Sequence, residues 1–491
     1  MDKKLVERIE EVVSSKNRSY LGGLEKGDVA LLVIPPDQDK EILNGIVDAL
    51  RDRGVEVDTV YENDIYEIPT EKLMLHTAVD GWKELIYFQD TMRDYLVSRG
   101  MVEEPDHNFA TGGTLWKALG DYVRKHPKYN KIHVSTHAPG HIRKYLGENK
   151  HKFHGHWEYA RRELFLSDLM VYPDELISLV DQKTFERVGE ASEIRVTDPQ
   201  GTYFSCPVSE EDAWYWKQTM PIGGPPEYYN PSHLYMLPIQ SFRTMNRFEK
   251  FRNLVAQVPH CYGVISGTCG HYGYYPHIQV YFEDGFVTRV EGGGRMGDLL
   301  REIVERTKDV QFPYISRKGW MYMNGIALGT IPKGFRQSNI FSNTEYLPNA
   351  WERLASGVIH WDIGGEHFAQ EFLDFCREHK YPEMHCWHVH TYFNTYEMRI
   401  RKTGEWVTLI DKGHLTALDD KEVHAVASKY GDPKELLKES WRPKIPGINY
   451  PGDYMRDFGR NPAAWVMQEV HNCLPETIGV PPNNGWQMSP K

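Results

Sequence analysis

At 491 residues the chain exceeds one average domain, and its 26% charged and 40% hydrophobic composition is ordinary for a globular protein, so two domains are expected. A net charge of −12 argues against a general nucleic-acid binder, which would carry a basic face. The first residues hold no apolar core of signal-peptide length, runs such as 29–34 are too short to span a bilayer, and six scattered cysteines form no CxxC, which together predict a soluble cytoplasmic protein with free thiols.

Residues 3–16 show amphipathic helical spacing through Leu5, Ile9, Val12 and Val13. A βαβ signal follows. Val29–Ile34 is a continuous apolar strand, Ile42, Ile46, Val47 and Leu50 line a helix that Gly54 ends, and Val55–Val60 is the next strand. The stretch 64–126 reads as mainly helical, with Trp82, Leu85, Phe88, Met92 and Leu96 at core spacing. Lys131–Ser135 is a buried strand, 172–187 a helix, and Ser192–Thr197 a strand closing at Asp198-Pro199-Gln200-Gly201-Thr202. No GxGxxG and no P-loop occurs in this half, so a nucleotide cofactor is not indicated.

Beyond an aromatic, Pro- and Gly-rich region the character changes. Ile278–Phe282 and Phe286–Val290 flank the turn Glu283-Asp284-Gly285 as a hairpin, a helix spans Asp298–Thr307, and Met398–Ile400 with Trp406–Ile410 forms a second meander. The fold expected is an α/β N-terminal domain with an open, mainly parallel sheet over 1–210, a linker over 211–257, an α+β metal-binding domain with antiparallel hairpins over 258–430, and a Pro-rich arm over 431–491. That arm and the abundance of aromatics favour a homodimer.

The candidate chemistry lies with the histidines. His388-Val389-His390 places two imidazoles on one face of a strand, and His260, His360 and His367 lie in the same half. Alone, such a pair is more readily two strand histidines satisfied by backbone or carboxylate than a ligand pair. His137, His141, His151, His154 and His156 form a competing cluster where a loop and helix start are expected. Cys261 and Cys269 read as packed thiols, and Asp362 and Glu366 as surface acids by default, with Glu366 close enough to His360 to serve as a base.

Four stretches taken together resemble a known family. Ile194–Thr202, the hairpin ending at Val290-Glu291, Ile326-Ala327-Leu328-Gly329-Thr330 and Gly357-Val358-Ile359-His360 are similar, in order and spacing, to segments of the aminopeptidase T metallopeptidases. That superfamily also holds the 2,5-dihydroxypyridine dioxygenases. The resemblance spans about residues 170–425 and implies an N-terminal α/β domain followed by a domain holding one or two metals. The family's metallopeptidases use two glutamates, an isolated His and a final His-x-Asp. By resemblance the first glutamate falls at His260, the isolated His at His360 and the final pair at His388 and His390, with His in place of Asp. A family tyrosine falls at His367, and the bridging glutamate near Asn324-Gly325, which offers no carboxylate. Because a bridging carboxylate holds paired cations about 3.5–4 Å apart, one ion is expected rather than two.

The expectation is therefore a hydrolase using one divalent ion (Mn, Zn or Fe) held by His260, His360, His388 and His390, with Glu366 or His367 moving the proton. The substrate expected is a small carbonyl compound, such as a cyclic ketone, 1,3-diketone or amide. A ring-cleaving non-haem Fe(II) dioxygenase is the first alternative, an aminopeptidase the second, and an inert binding scaffold a third. Neither nucleic acid nor membrane is an expected partner.

Overall fold

A computed structural model of the chain describes residues 3–14, 21–35, 38–66, 110–134, 146–156, 162–219, 233–236, 255–270, 273–336, 352–365, 370–379, 381 and 387–473. The first strands are β1 (Val29–Ile34), β2 (Glu56–Tyr61), β3 (Lys131–Val134) and β4 (Phe153–His156). They form a parallel sheet in the order β2-β1-β3-β4. Residues 30–34 of β1 are completely buried, as expected of a parallel strand covered on both faces. Helix Lys3–Ser14 buries Leu5, Ile9, Val12 and Val13, and helix Lys40–Asp52 buries Ile42, Ile46, Val47 and Leu50. Asp39 caps the second helix, accepting from the backbone N–H groups of Glu41 and Ile42 at 2.9 and 3.1 Å. The helical stretch expected over 64–126 is seen as Glu62–Tyr66 and Ala110–Lys125, and its core positions from Trp82 to Leu96 lie outside the described residues.

The later strands are β5 (Ala191–Asp198), β6 (Thr202–Pro207), β7 (His233–Met236), β8 (Tyr262–Gly270), β9 (Gly273–Glu283), β10 (Phe286–Gly292), β11 (Met323–Gly329), β12 (Ile359–Ile363), β13 (Trp387–Thr391), β14 (Thr395–Ile400), β15 (Trp406–Asp411) and β16 (His414–Leu415). Eight of them make one antiparallel sheet, β10-β9-β8-β6-β5-β14-β15-β16, and four make a second, β13-β12-β11-β7. Strand β5 pairs with β6 and β14, not with the parallel sheet, so the chain enters the antiparallel sheet at residue 191. The β5–β6 turn is closed by Asp198, whose carboxylate accepts from Gln200 N at 2.8 Å and from Phe393 N at 3.0 Å. That second bond ties the turn to the connection between β13 and β14.

The two antiparallel sheets face each other through alternate residues of β12 and β13. Trp361 packs edge-on against Phe204 of β6 with ring centroids 5.1 Å apart, and its indole N–H donates to Thr391 Oγ1 at 2.9 Å. Val389 lies directly over Gly267 of β8, where a Cβ would sit 2.4 Å from the valine. A Cβ at Gly270 would come within 2.0 Å of the His388 carbonyl oxygen. Side chains at either position would wedge β8 away from β13, so the glycines permit the close approach. Among the described residues no helix is long and apolar enough to cross a membrane.

Candidate metal centre

Strands β12 (Ile-His-Trp-Asp-Ile) and β13 (Trp-His-Val-His-Thr) are buried along their whole length, yet both alternate apolar with polar. Because side chains alternate across a strand, the apolar set goes to the facing sheet and the polar set shares the other face. Antiparallel register puts His360 opposite His390 and Asp362 opposite His388. Three histidines and one carboxylate thereby converge where solvent barely reaches: His360 is 3%, Asp362 4%, His388 8% and His390 0% exposed. The His360 ring centre lies 4.6 Å from that of His388 and 5.2 Å from that of His390.

Asp362 Oδ1 sits 2.6 Å from His360 Nε2 and 3.1 Å from His388 Nε2. Among the described residues no contact to that oxygen meets full hydrogen-bond geometry, although both imidazoles lower the carboxyl's pKa as close partners. One donor atom from each of the three residues falls within 4.8 Å of the others. Buried donors gathered this closely could hold a shared cation, and the donor types suit a divalent ion of intermediate softness. Electrostatics agree. Burial drives the His360 imidazole well below its usual pKa, against the pull of Asp362, so its lone pair is available. Burial alone would raise the Asp362 carboxyl, but the facing His360 and His388 rings outweigh it and keep the group ionised.

A second buried group adjoins the first through His390. Cys269, Glu352 and His390 also bring donor atoms within 4.8 Å. Glu352 Oε1 accepts from the Tyr392 hydroxyl at 2.7 Å and lies 3.4 Å from His390 Nδ1, while Oε2 accepts from Arg336 Nε at 2.7 Å. Burial pushes the Glu352 carboxyl up, but Arg336, His390 and Tyr392 together bring it down to about 2. Burial likewise lowers His390, with Glu352 opposing.

The structure brings together His360, His388 and His390 of the four histidines expected as ligands. His260 is elsewhere: its side chain is 67% exposed and pairs with Asp284, which also holds Arg317. Glu366 and His367 lie outside the described residues, as do His137 and His141. His151, His154 and His156 join no converging ligand group among the described residues. Asp362, expected as a surface acid, is buried at the centre of the candidate group, and sequence reasoning missed it. The alternation Ile359-His360-Trp361-Asp362-Ile363 would have found it, since Asp362 stands two residues from His360 as His390 does from His388. Asn324, near which the sequence resemblance put a bridging carboxylate, lies in a β-bulge of β11 opposite Asp362 and Ile363. It is completely buried, and neither its Oδ1 nor its Nδ2 has a hydrogen-bond partner among the described residues.

Compared with known proteins, the chain matches no family profile and no curated protein. Among solved structures it is similar to 2,5-dihydroxypyridine dioxygenase from Pseudomonas putida KT2440, at 11% identity and a TM-score of 0.39, over 85% of this chain and 98% of that one. It is also similar to wild-type AmpT from Thermus thermophilus, at 11% identity and a TM-score of 0.42, over 84% of this chain and 99% of that one. What the centre can do chemically follows from its own side chains.

Proposed function

We propose that the chain is a metal-dependent hydrolase in which His360, His388 and Asp362, joined by His390, hold one divalent ion (Mn, Zn or Fe) and act on a small carbonyl compound. The observation behind this is the buried convergence of Asp362 Oδ1 with two imidazole nitrogens at 2.6 and 3.1 Å, three donor atoms within 4.8 Å of one another. When bound, such an ion polarises a carbonyl oxygen and lowers the pKa of water beside it.

Charge points to the substrate class. Neutral imidazoles and one carboxylate leave a site loaded with a divalent ion net positive, while Glu352 is balanced separately by Arg336. A cyclic 1,3-diketone ionises to a monoanionic enolate with two oxygens, which would offset that charge. The buried amide of Asn324 offers a donor and an acceptor that the described protein leaves unused. Glu366 and His367, reached from β12 through Gly364-Gly365, are proposed for the proton transfers.

The test is anaerobic incubation of metal-loaded protein with cyclohexane-1,3-dione in ¹⁸O-labelled water. The expected product is the labelled open-chain keto acid, absent with His360→Ala or His388→Ala. Turnover of aminoacyl substrates with no action on cyclic carbonyls would overturn this assignment.

A second reading, a ring-cleaving Fe(II) dioxygenase, is favoured by one specific observation. Two histidines and a carboxylate on one buried face form the ligand set of non-haem Fe(II) oxygenases, which an all-histidine site would not. Oxygen uptake that requires Fe(II) and a dihydroxylated ring would establish it in place of hydrolysis.

A further inference from the structure

We infer that Glu352 is a positioning residue for His390, and that Arg336, rather than a second metal ion, is the cation that neutralises it. This rests on the metal site proposed above. By donor type alone, Cys269, Glu352 and His390 could hold a second ion beside the first. What surrounds them argues otherwise.

Arg336 already occupies the cationic role. Its Nε lies 2.7 Å from Glu352 Oε2, and its Nη1 lies 3.5 Å from Glu469. The side chain is only 5% exposed, and the guanidinium carbon stands 5.2 Å from the rings of Tyr274 and Trp441 and 6.0 Å from that of Tyr392. A guanidinium keeps its proton under all ordinary conditions. A divalent ion held by Glu352 would therefore face a fixed positive charge across one carboxylate in a medium that screens poorly. The other ligands are also committed. Glu352 Oε1 takes the Tyr392 hydroxyl at 2.7 Å, and Cys269 Sγ lies 2.7 Å from that same hydroxyl.

The arrangement instead orients an imidazole. Glu352 Oε1 lies 3.4 Å from His390 Nδ1, and the two nitrogens of an imidazole lie on different edges of the ring. With Nδ1 directed at the carboxylate, Nε2 is presented on the edge away from it, while the ring lies 5.2 Å from that of His360. A carboxylate behind a ligating histidine fixes its tautomer and ring orientation, and such partners typically govern metal affinity by about 10–100-fold. Arg336 and Tyr392 in turn fix Glu352, one on each oxygen.

The experiment uses the full-length protein titrated with Mn²⁺ against a competing chelator, with metal per chain counted by elemental analysis. Visible spectra of the Co²⁺-loaded forms are recorded alongside. The wild type is expected to bind one ion. Glu352→Gln is expected to bind one ion about 10–100-fold more weakly with an altered Co²⁺ spectrum, and Arg336→Lys is expected to hold metal better than Arg336→Met. Leu50→Ala, a truncation beside the parallel sheet, serves as a destabilised control and is expected to keep the wild-type affinity and spectrum. Two ions in the wild type falling to one in Glu352→Gln would overturn the inference, because Glu352 would then be a ligand. Unchanged affinity and spectrum in Glu352→Gln would overturn it too. Should that variant not fold, Tyr392→Phe removes one of the bonds holding Glu352 and is expected to weaken binding several-fold; unchanged binding there counts against the inference equally. A wild type that binds no ion would instead refute the metal site itself.

Discussion

Replacing Asp362 by Asn keeps the shape of the side chain and removes the only formal charge among the donors of His360, Asp362 and His388. Its Oδ1 lies 2.6 and 3.1 Å from the two imidazole nitrogens, so the change falls at the point where the three donors meet. An ion at one hundred times its Kd stabilises the folded state by about 2.7 kcal/mol. At about 2.1 cal/mol/K per residue, melting of a chain of this length moves by about 1 °C per kcal/mol, so Mn²⁺ at that concentration should raise the wild-type melting temperature by about 3 °C. Losing a charged ligand should cost more than the 10–100-fold typical of losing a group behind a ligand, hence at least about 100-fold in Kd. At the same ion concentration the variant then sits near its own Kd, retains only about 0.4 kcal/mol of stabilisation, and melts within about 1 °C of its metal-free form. The assay is thermal unfolding followed by circular dichroism, each protein compared with itself after chelator treatment. Any effect of Asn on the metal-free fold cancels in that comparison. A variant that keeps the wild-type shift would refute Asp362 as a ligand.

Other consequences are open to direct test. Gly270→Ala would place a Cβ 2.0 Å from the His388 carbonyl oxygen, so it should destabilise the protein by about 1–3 kcal/mol in denaturant unfolding and weaken metal binding together; a neutral result would show that β8 and β13 need no such closeness. His260→Ala, at an exposed side chain paired with Asp284, should leave metal affinity unchanged and cost less than about 1 kcal/mol, and lost metal would restore His260 to the ligand set. For Asp198, burial raises the carboxyl from 3.8 to about 6 against the N–H donors of Gln200 and Phe393. The folded-state value lies above the unfolded one, so this contribution to stability is full below about pH 4 and is lost as pH rises through about 6. At about 1.4 kcal/mol per pKa unit, and with part of the effect already lost at pH 4, stability measured by urea unfolding should shift by about 2.5 kcal/mol in favour of Asp198→Asn, relative to wild type, between pH 4 and 7; a pH-independent difference would refute it.

Local patterns made much of the architecture legible. Strand β1 and helix Lys40–Asp52 are visible because an apolar run and a 3.6-residue period leave few other ways to bury their side chains. The hairpin of β9 and β10 is visible because Asp284-Gly285 takes the positive φ angles its turn needs. His388 and His390 share a face because the period of a strand is two, a property the sequence determines wherever the strand itself is recognised. The same rule puts Asp362 on the face of His360 in β12, two residues along the strand.

Other features depend on distant parts of the chain meeting. Nothing local to His360 specifies that it faces His390 rather than solvent; that register is decided by the pairing of β12 with β13 and by the packing of Trp361 and Val389 on the facing sheet. His260 has the same chemistry as His360 in the sequence, but it ends beside Asp284 at the surface. Glu352 lies in a short turn with no periodic signal, and only tertiary folding sets it between Arg336, Tyr392 and His390. Side-chain periodicity is a property of neighbouring residues and can be read from the chain, whereas the convergence of ligands depends on which surfaces bury against each other, and that is settled only when the whole core packs.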